Sequence, residues 1–201
     1  MDLISNYSQP EFYRFSEDSI SLSNAIVRDL KDLDINIGAA ADFCCGCGVV
    51  LLEVIQKLQL NSSVIDFYEL QEEYLDHIKA NSEIVMDLFS KNKTTIYIDN
   101  LLRNRPRRTY DLIVMNPPYF KRGNGRPAKD KRTQVCREFG GNDFDELIRL
   151  ASESLSEDGR FYFVCRESRE VLEDINEISK QYKLERISSV KSYGIYLILS
   201  S

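Results

Sequence analysis

Seven short apolar runs alternate with stretches of helical periodicity, and this alternation most narrows what the chain can fold into. The runs lie at residues 39–43, 63–68, 94–98, 110–115, 160–165, 184–190 and 194–199. Between them, residues 49–58, 71–80, 143–155 and 168–182 carry apolar positions at helical spacing. Residues 83–89 continue the second helix after a break, and residues 18–33 form one more ahead of the first strand, with Asp18 or Ser19 at its cap. Strands that alternate with helices imply an α/β fold with a mostly parallel sheet and helices on both faces. The last two runs are separated too briefly for a parallel crossover, so the sheet ends in an antiparallel strand. Residues 120–142 read as a long polar loop. The 201 residues fit a single domain, 1–201, with residues 1–35 packing near the functional edge.

In open α/β sheets, ligands bind at the carboxyl ends of the strands. The fourth run, Tyr110-Asp111-Leu112-Ile113-Val114-Met115, reaches that edge and gives way to Asn116-Pro117-Pro118-Tyr119. Asn116 offers a carbonyl oxygen, and Pro117 a backbone carbonyl with no N–H beside it. Pro118 stiffens the turn, and Tyr119 supplies a flat ring for stacking. Two acceptors converging on one planar –NH2 group hold it and draw its lone pair out of conjugation. An ordinary turn in which Asn and Pro only set the backbone is the plainer reading.

Three other strand ends carry polar signals. The first is followed by Asp42-Phe43-Cys44-Cys45-Gly46-Cys47-Gly48, a turn in which Gly46 and Gly48 let the backbone approach a ligand and open a helix N-terminus toward an anion. The second ends at Glu69, about twenty residues on, where a carboxylate grips ribose hydroxyls. The third ends at Asp99, an acceptor for an adenine amino group. Together they describe a nucleoside site; separately they are a helix cap, a surface acid and a strand-end acid.

Net charge is −6, so any affinity for polyanions has to be local. Arg103, Arg105, Arg107 and Arg108 precede the fourth strand, and Lys121, Arg122, Arg126, Lys129, Lys131 and Arg132 follow it. The second group, with Tyr119, is the candidate contact to nucleic-acid phosphates; solvated loops are the alternative. The five cysteines are an odd number without an export signal, which fits reduced thiols in a cytoplasmic protein. Cys44, Cys45 and Cys47 lack the two spaced pairs of structural zinc, and the single histidine, His77, falls in a helix, so no metal is expected. No apolar stretch has transmembrane length.

The set resembles class I S-adenosylmethionine-dependent methyltransferases, whose fold is Rossmann-like with a seven-stranded sheet. Asp42 to Gly48 is similar to their Asp-x-Gly-x-Gly-x-Gly motif, with Cys44 where the first glycine is usual. Glu69 matches the family's ribose acid and Asp99 its adenine-side residue. The resemblance implies S-adenosylmethionine as cofactor, held by Asp42, Cys44, Gly46, Gly48, Glu69, Leu70, Asp99, Asn100 and Asn116. Arg14 is a further candidate, for the cofactor carboxylate or for an acidic neighbour. Asn116 to Tyr119 is similar to the signature of members that methylate exocyclic or amide nitrogens. Tyr13-Arg14-Phe15-Ser16-Glu17-Asp18-Ser19, the loop from Asn116 to Pro127 and Arg137-Glu138 resemble bacterial tRNA(1)(Val) adenine-N6 methyltransferases, which modify the adenosine 3′ of the anticodon. The implied partner is RNA, most specifically tRNA, for a protein favoured as a monomer. Relatives with the same signature act on a release-factor glutamine, an rRNA guanine or DNA adenine; a non-catalytic RNA-binding relative is the reading from another class.

Overall fold

All seven apolar runs are strands of one sheet. A computed structural model describes residues 6–61, 63–118, 120–121, 130–139 and 143–200. Along the chain come α1 (Glu17–Leu30), β1 (Ala39–Phe43), α2 (Val49–Leu58), β2 (Val64–Glu69), a 3-10 turn (Glu72–Tyr74) and α3 (Leu75–Leu88). Then follow β3 (Lys93–Ile98), β4 (Tyr110–Met115), β5 (Phe120–Lys121), α4 (Lys131–Arg137), β6 (Glu138–Phe139) and α5 (Asp143–Glu153). The chain ends with β7 (Leu155–Arg166), α6 (Arg169–Ile178), β8 (Lys183–Val190) and β9 (Tyr193–Leu199).

β1, β2, β3, β4 and β7 pair in parallel, and β9 inserts antiparallel between β7 and β8. β1 and β4 are buried on both faces, which is why they read as apolar runs without alternation. β3 is an edge strand, and its Lys93, Thr94 and Thr95 are exposed. The sheet order is β3-β2-β1-β4-β7-β9-β8, so the crossovers run outward on either side of the β1–β4 pair, and the right-handed rule for such crossovers sets α2 and α3 on one face and α5 and α6 on the other. α1 lies beside α2 and reaches over β7, β8 and β9, burying Leu22, Ala25, Ile26 and Leu30. The strand order reverses between β1 and β4, and a crevice opens there at the carboxyl edge.

Local departures from the sequence reading have physical causes. α3 runs unbroken through Glu83, because Asn81 and Ser82 turn inward and Asn81 Nδ2 donates to the carbonyls of Ser8 and Cys47 at 2.9 Å each. α5 ends at Glu153 and β7 begins at Leu155, since Leu155 pairs with Tyr110 ahead of a bulge. The span 120–142 is more than loop: Asp130 caps α4 by accepting from Arg132 N–H, and β5 pairs with β6 as a separate two-stranded ribbon. The stretch between β3 and β4 carries the first arginine group, much of which braces the fold. Arg108 pairs with buried Asp66 at 3.1 Å, Arg105 with Glu153 at 2.8 Å, and Arg107 lies over the Tyr97 ring at 5.3 Å. No helix among the described residues is long and apolar enough to cross a membrane.

Candidate active site

The turn after β1 doubles back sharply. Cys44, Gly46 and Gly48 all take positive φ, at 57°, 55° and 80°. The loop is pinned by Cys45 N–H donating to Tyr68 carbonyl at 3.0 Å and Gly48 N–H to Cys45 carbonyl at 2.8 Å. Gly48 is then the N-cap of α2. Here glycine is required twice over, because a Cβ would also stand 3.2 Å from the Phe67 ring. Gly48 does not itself line the cavity described below; it shapes the turn that Cys44 and Gly46 present.

Two buried carboxylates flank this turn. Asp42 Oδ2 accepts from Leu51 N–H in the first turn of α2 at 3.4 Å, while its Oδ1 is buried without a hydrogen-bond partner among the described residues. Burial pushes the Asp42 carboxyl well above the usual range. Glu69, at the end of β2, accepts from Gly46 N–H at 2.8 Å and from Gln71 N–H at 3.0 Å. Burial raises its pKa, and those N–H donors pull it back. Asp99, after β3, is exposed and held by Asn104 Nδ2 at 2.8 Å and Asn100 N–H at 2.7 Å, which keep it ionised below the usual carboxylate range.

β4 delivers Asn116 to the same edge, where its Nδ2 donates to Ser19 Oγ at 2.8 Å. One cavity of about 610 Å³ joins all these strand ends. Of the predicted residues, Asp42, Cys44, Gly46, Glu69, Leu70, Asp99, Asn100, Asn116, Pro117, Pro118 and Lys131 line it. Arg14 does not: it is exposed while its neighbours Tyr13 and Phe15 face the cavity, as alternate residues of a strand-like segment must. Arg132 does not either, because its guanidinium is taken by Asp130 at 2.6 Å and sits over the Phe12 ring at 4.6 Å. Lys121 is described as the second residue of β5, by its backbone. Tyr119, Arg122, Arg126 and Lys129 lie outside the described residues.

Several lining residues were not among the candidate site residues. Ser19 reaches the cavity from α1, and Asp143 and Leu147 from α5. α4 contributes Gln134, Val135 and Cys136, and is tied down by Thr133 Oγ1 donating to Phe12 carbonyl at 2.9 Å. Cys136 Sγ meets Gln71 Nε2 at 3.1 Å and Tyr74 Oη at 3.3 Å. Burial raises the Cys44, Cys45 and Cys47 thiols, Cys47 to about 12, so they line the wall as neutral groups. His77 accepts or donates at Nδ1 with Ser8 Oγ, 2.8 Å away, outside the cavity.

The fold is the Rossmann-like class I S-adenosylmethionine-dependent methyltransferase fold. The model of the methyltransferase small domain matches residues 14–197, and the chain belongs to that family. It is 28% identical over 163 residues to a tRNA1(Val) (adenine(37)-N6)-methyltransferase of Pedobacter heparinus, a match covering 76% of this chain and 65% of that protein. A protein of the same name from Yersinia pestis is 30% identical over 123 residues, covering 61% of this chain and 48% of the relative. The chain thus spans between about half and two thirds of the length of these relatives. A T. thermophilus 16S rRNA N2 G1207 methyltransferase, solved with AdoMet and guanosine, superposes with a TM-score of 0.66 at 14% identity, covering 95% of this chain and 45% of that one. A Thermotoga maritima SAM-dependent O-methyltransferase superposes at 0.62 with 16% identity, covering 99% and 70%.

The cavity fits that cofactor. Asp42 Oδ1, buried and without a partner among the described residues, suits an amino group, whose charge offsets the cost of keeping the carboxylate ionised. Glu69, its backbone donors already in place, has lone pairs left for hydroxyls. Leu70, Leu101 and Leu102 give an apolar wall for a flat ring beside Asp99.

Proposed function

We propose that the chain transfers a methyl group from S-adenosylmethionine to the exocyclic N6 of an adenine in RNA, most specifically in tRNA beside the anticodon. One observation carries this reading: Asn116 and Pro117, which it makes the acceptors of the amine, line the same cavity as Asp42, Gly46 and Glu69. The names of the curated relatives support the adenine and the tRNA. The cofactor supplies the chemistry of a sulfonium methyl donor. The chain's own residues align the nitrogen. Asn116 Oδ1 and the Pro117 carbonyl accept from the amine, Asp42 and Glu69 hold the donor's polar parts, and Tyr119 stacks on a base turned out of its strand. Alignment in a site walled by Phe15, Val50 and Leu147 does most of the work, and the proton leaves after the nitrogen has become cationic.

The test is incubation with tritiated S-adenosylmethionine and total bacterial RNA, beside equal amounts of DNA and protein extract. Label in tRNA, recovered as N6-methyladenosine, is the expected result. Label in protein transfers the reading to a glutamine amide, and label as N2-methylguanosine in rRNA to a guanine amine. Binding of the cofactor without transfer anywhere marks a non-catalytic relative.

A further inference from the structure

A carboxamide is nearly symmetric in shape and opposite in polarity at its two ends. If Asn116 is to receive an amine, its oxygen must face that amine and its NH2 must be kept elsewhere. The structure brings Ser19 to it from the other end of the chain, 97 residues away, with Nδ2 donating to Oγ at 2.8 Å. Ser19 is 5% exposed and lines the cavity beside Asn116.

Ser19 is itself fixed. It stands in the first turn of α1, three positions after the N-cap Ser16. Its N–H donates to Ser16 carbonyl at 3.1 Å and to Asp18 Oδ1 at 2.9 Å, and Ser16 Oγ bonds the same carboxylate. The rest of α1 is locked to strands on the amine side of the sheet. Asp29 accepts from Tyr162 Oη at 2.5 Å and from Arg160 at 3.2 Å, both on β7, the strand next to β4. Arg28 donates to Ser188 on β8 at 3.3 Å, Lys191 pairs with Glu17, and Leu22 and Ile26 are fully buried beneath. α1 cannot slide without breaking these ties.

We infer that Ser19 is a positioning residue: its hydroxyl holds the Asn116 amide with the NH2 turned away, so that the carbonyl oxygen meets the acceptor amine. The inference rests on the amine-binding role proposed for Asn116 and names what sets it. It gives α1 a part in the chemistry although, apart from its first turn, the helix is far from it. Removing the hydroxyl removes this tie on the NH2, and the amine then meets a less well-placed acceptor.

The test uses the full chain, a tRNA1(Val) transcript and tritiated S-adenosylmethionine. Ser19→Ala is expected to lower kcat about 10- to 100-fold, the scale of a misplaced reacting group. The cofactor Kd stays within about twofold, since the bond touches the amine side alone. Ser19→Thr, which keeps the hydroxyl, restores most of kcat. A structural role would instead lower thermal stability and cofactor affinity together, with no rescue by threonine. Unchanged kcat in Ser19→Ala overturns the inference, as does that structural pattern. A second readout needs no turnover: hydrogen exchange of the Asn116 side-chain NH2, followed by NMR in the protein without RNA. Protection in the native chain that is lost in Ser19→Ala sustains the inference, and an unprotected NH2 in the native chain overturns it. If the native chain methylates no RNA, the proposed substrate fails, and the exchange measurement still decides whether Ser19 holds Asn116.

Discussion

The two halves of the cavity wall, one assigned to the cofactor and one to the amine by the proposed function, are built by different means. The cofactor half is assembled from successive strand ends, and its ties are short in sequence: Asp42 reaches Leu51 across 9 positions and Gly46 reaches Glu69 across 23. The amine half is assembled from pieces brought together over long distances: Ser19 to Asn116 across 97 positions, Gln71 to Cys136 across 65, and Phe12 to Thr133 across 121. A site that recognises a common cofactor can be made from one βαβ unit and its neighbour. A site that recognises a particular amine draws on the N-terminal helix, α4 and α5, the elements with most freedom to vary around a fixed sheet.

If the halves are separable, damage to one should spare the other. Asn116→Ala removes the acceptor where charge develops on the nitrogen and should cut kcat about 10³-fold, the loss typical of one preorganised catalytic group. Cofactor affinity by calorimetry should be nearly unchanged. A comparable loss of cofactor binding would show that the halves are one unit.

Glu69→Gln is the converse. The amide turns an NH2 toward either Gly46 N–H or Gln71 N–H, which now donate to a carboxylate, and one acceptor for the ribose is lost. Cofactor affinity should fall about 10- to 100-fold, the cost of one charge-assisted bond, while kcat at saturating cofactor changes less. The pH dependence has a definite sign. Burial raises the Glu69 pKa above its usual 4.5, so the folded chain holds a proton that the unfolded chain has released. Stability of the cofactor-free protein therefore falls as pH rises through the window between 4.5 and the raised value. Cofactor affinity moves the other way and rises with pH in that window, because ribose hydroxyls donate to the ionised form. Calorimetry across pH 4 to 7 checks both slopes, and Glu69→Gln should reduce them to the part that Asp42, raised by burial in the same direction, contributes.

The same contrast explains what could be read from the sequence. All seven strands, the parallel order and the final antiparallel strand follow from periodicity and connection length, which are local. Asp42, Glu69 and Asp99 were legible because a strand end is a place that can be located in a sequence. Asn116 was legible for the same reason, but its orientation was not, since that depends on packing Ser19 against it. α4 was hidden inside a polar stretch: its helix rests on the Asp130 cap and on contacts with Phe12, Gln71 and Tyr74, none adjacent in sequence. Arg14 and Arg132 carry the right charge for a phosphate or carboxylate, but composition does not say which way a side chain points. Arg14 alternates outward between two inward aromatics, and Arg132 is claimed by Asp130 two residues before it.

Within the cofactor half, the turn itself can be graded. Gly48 combines φ of 80° with a Cβ position 3.2 Å from Phe67. Gly48→Ala should cost about 2–3 kcal/mol, the sum of left-handed strain and a contact with a ring fixed by the core. Thermal or urea unfolding measures it directly, and cofactor affinity should fall with it as the loop shifts.

Cys44 is the opposite case, and the smallest effect. It takes φ of 57°, where a side chain is strained by about 1–2 kcal/mol. This is the position at which the family's motif has glycine, and the backbone keeps the glycine's conformation although the side chain has changed. Cys44→Gly relieves the strain. Glycine's larger freedom in the unfolded chain offsets about 0.5–1 kcal/mol of that, and the lost thiol packing offsets a little more. The net change should lie between zero and about 1 kcal/mol of stabilisation, or an increase of up to a few degrees in Tm for a chain of this size. Cofactor affinity should hold or improve, because the turn geometry is kept and its wall is made less bulky. A fall in Tm would mean that the thiol packs better than the strain it causes, and that the cysteine is held there by the core.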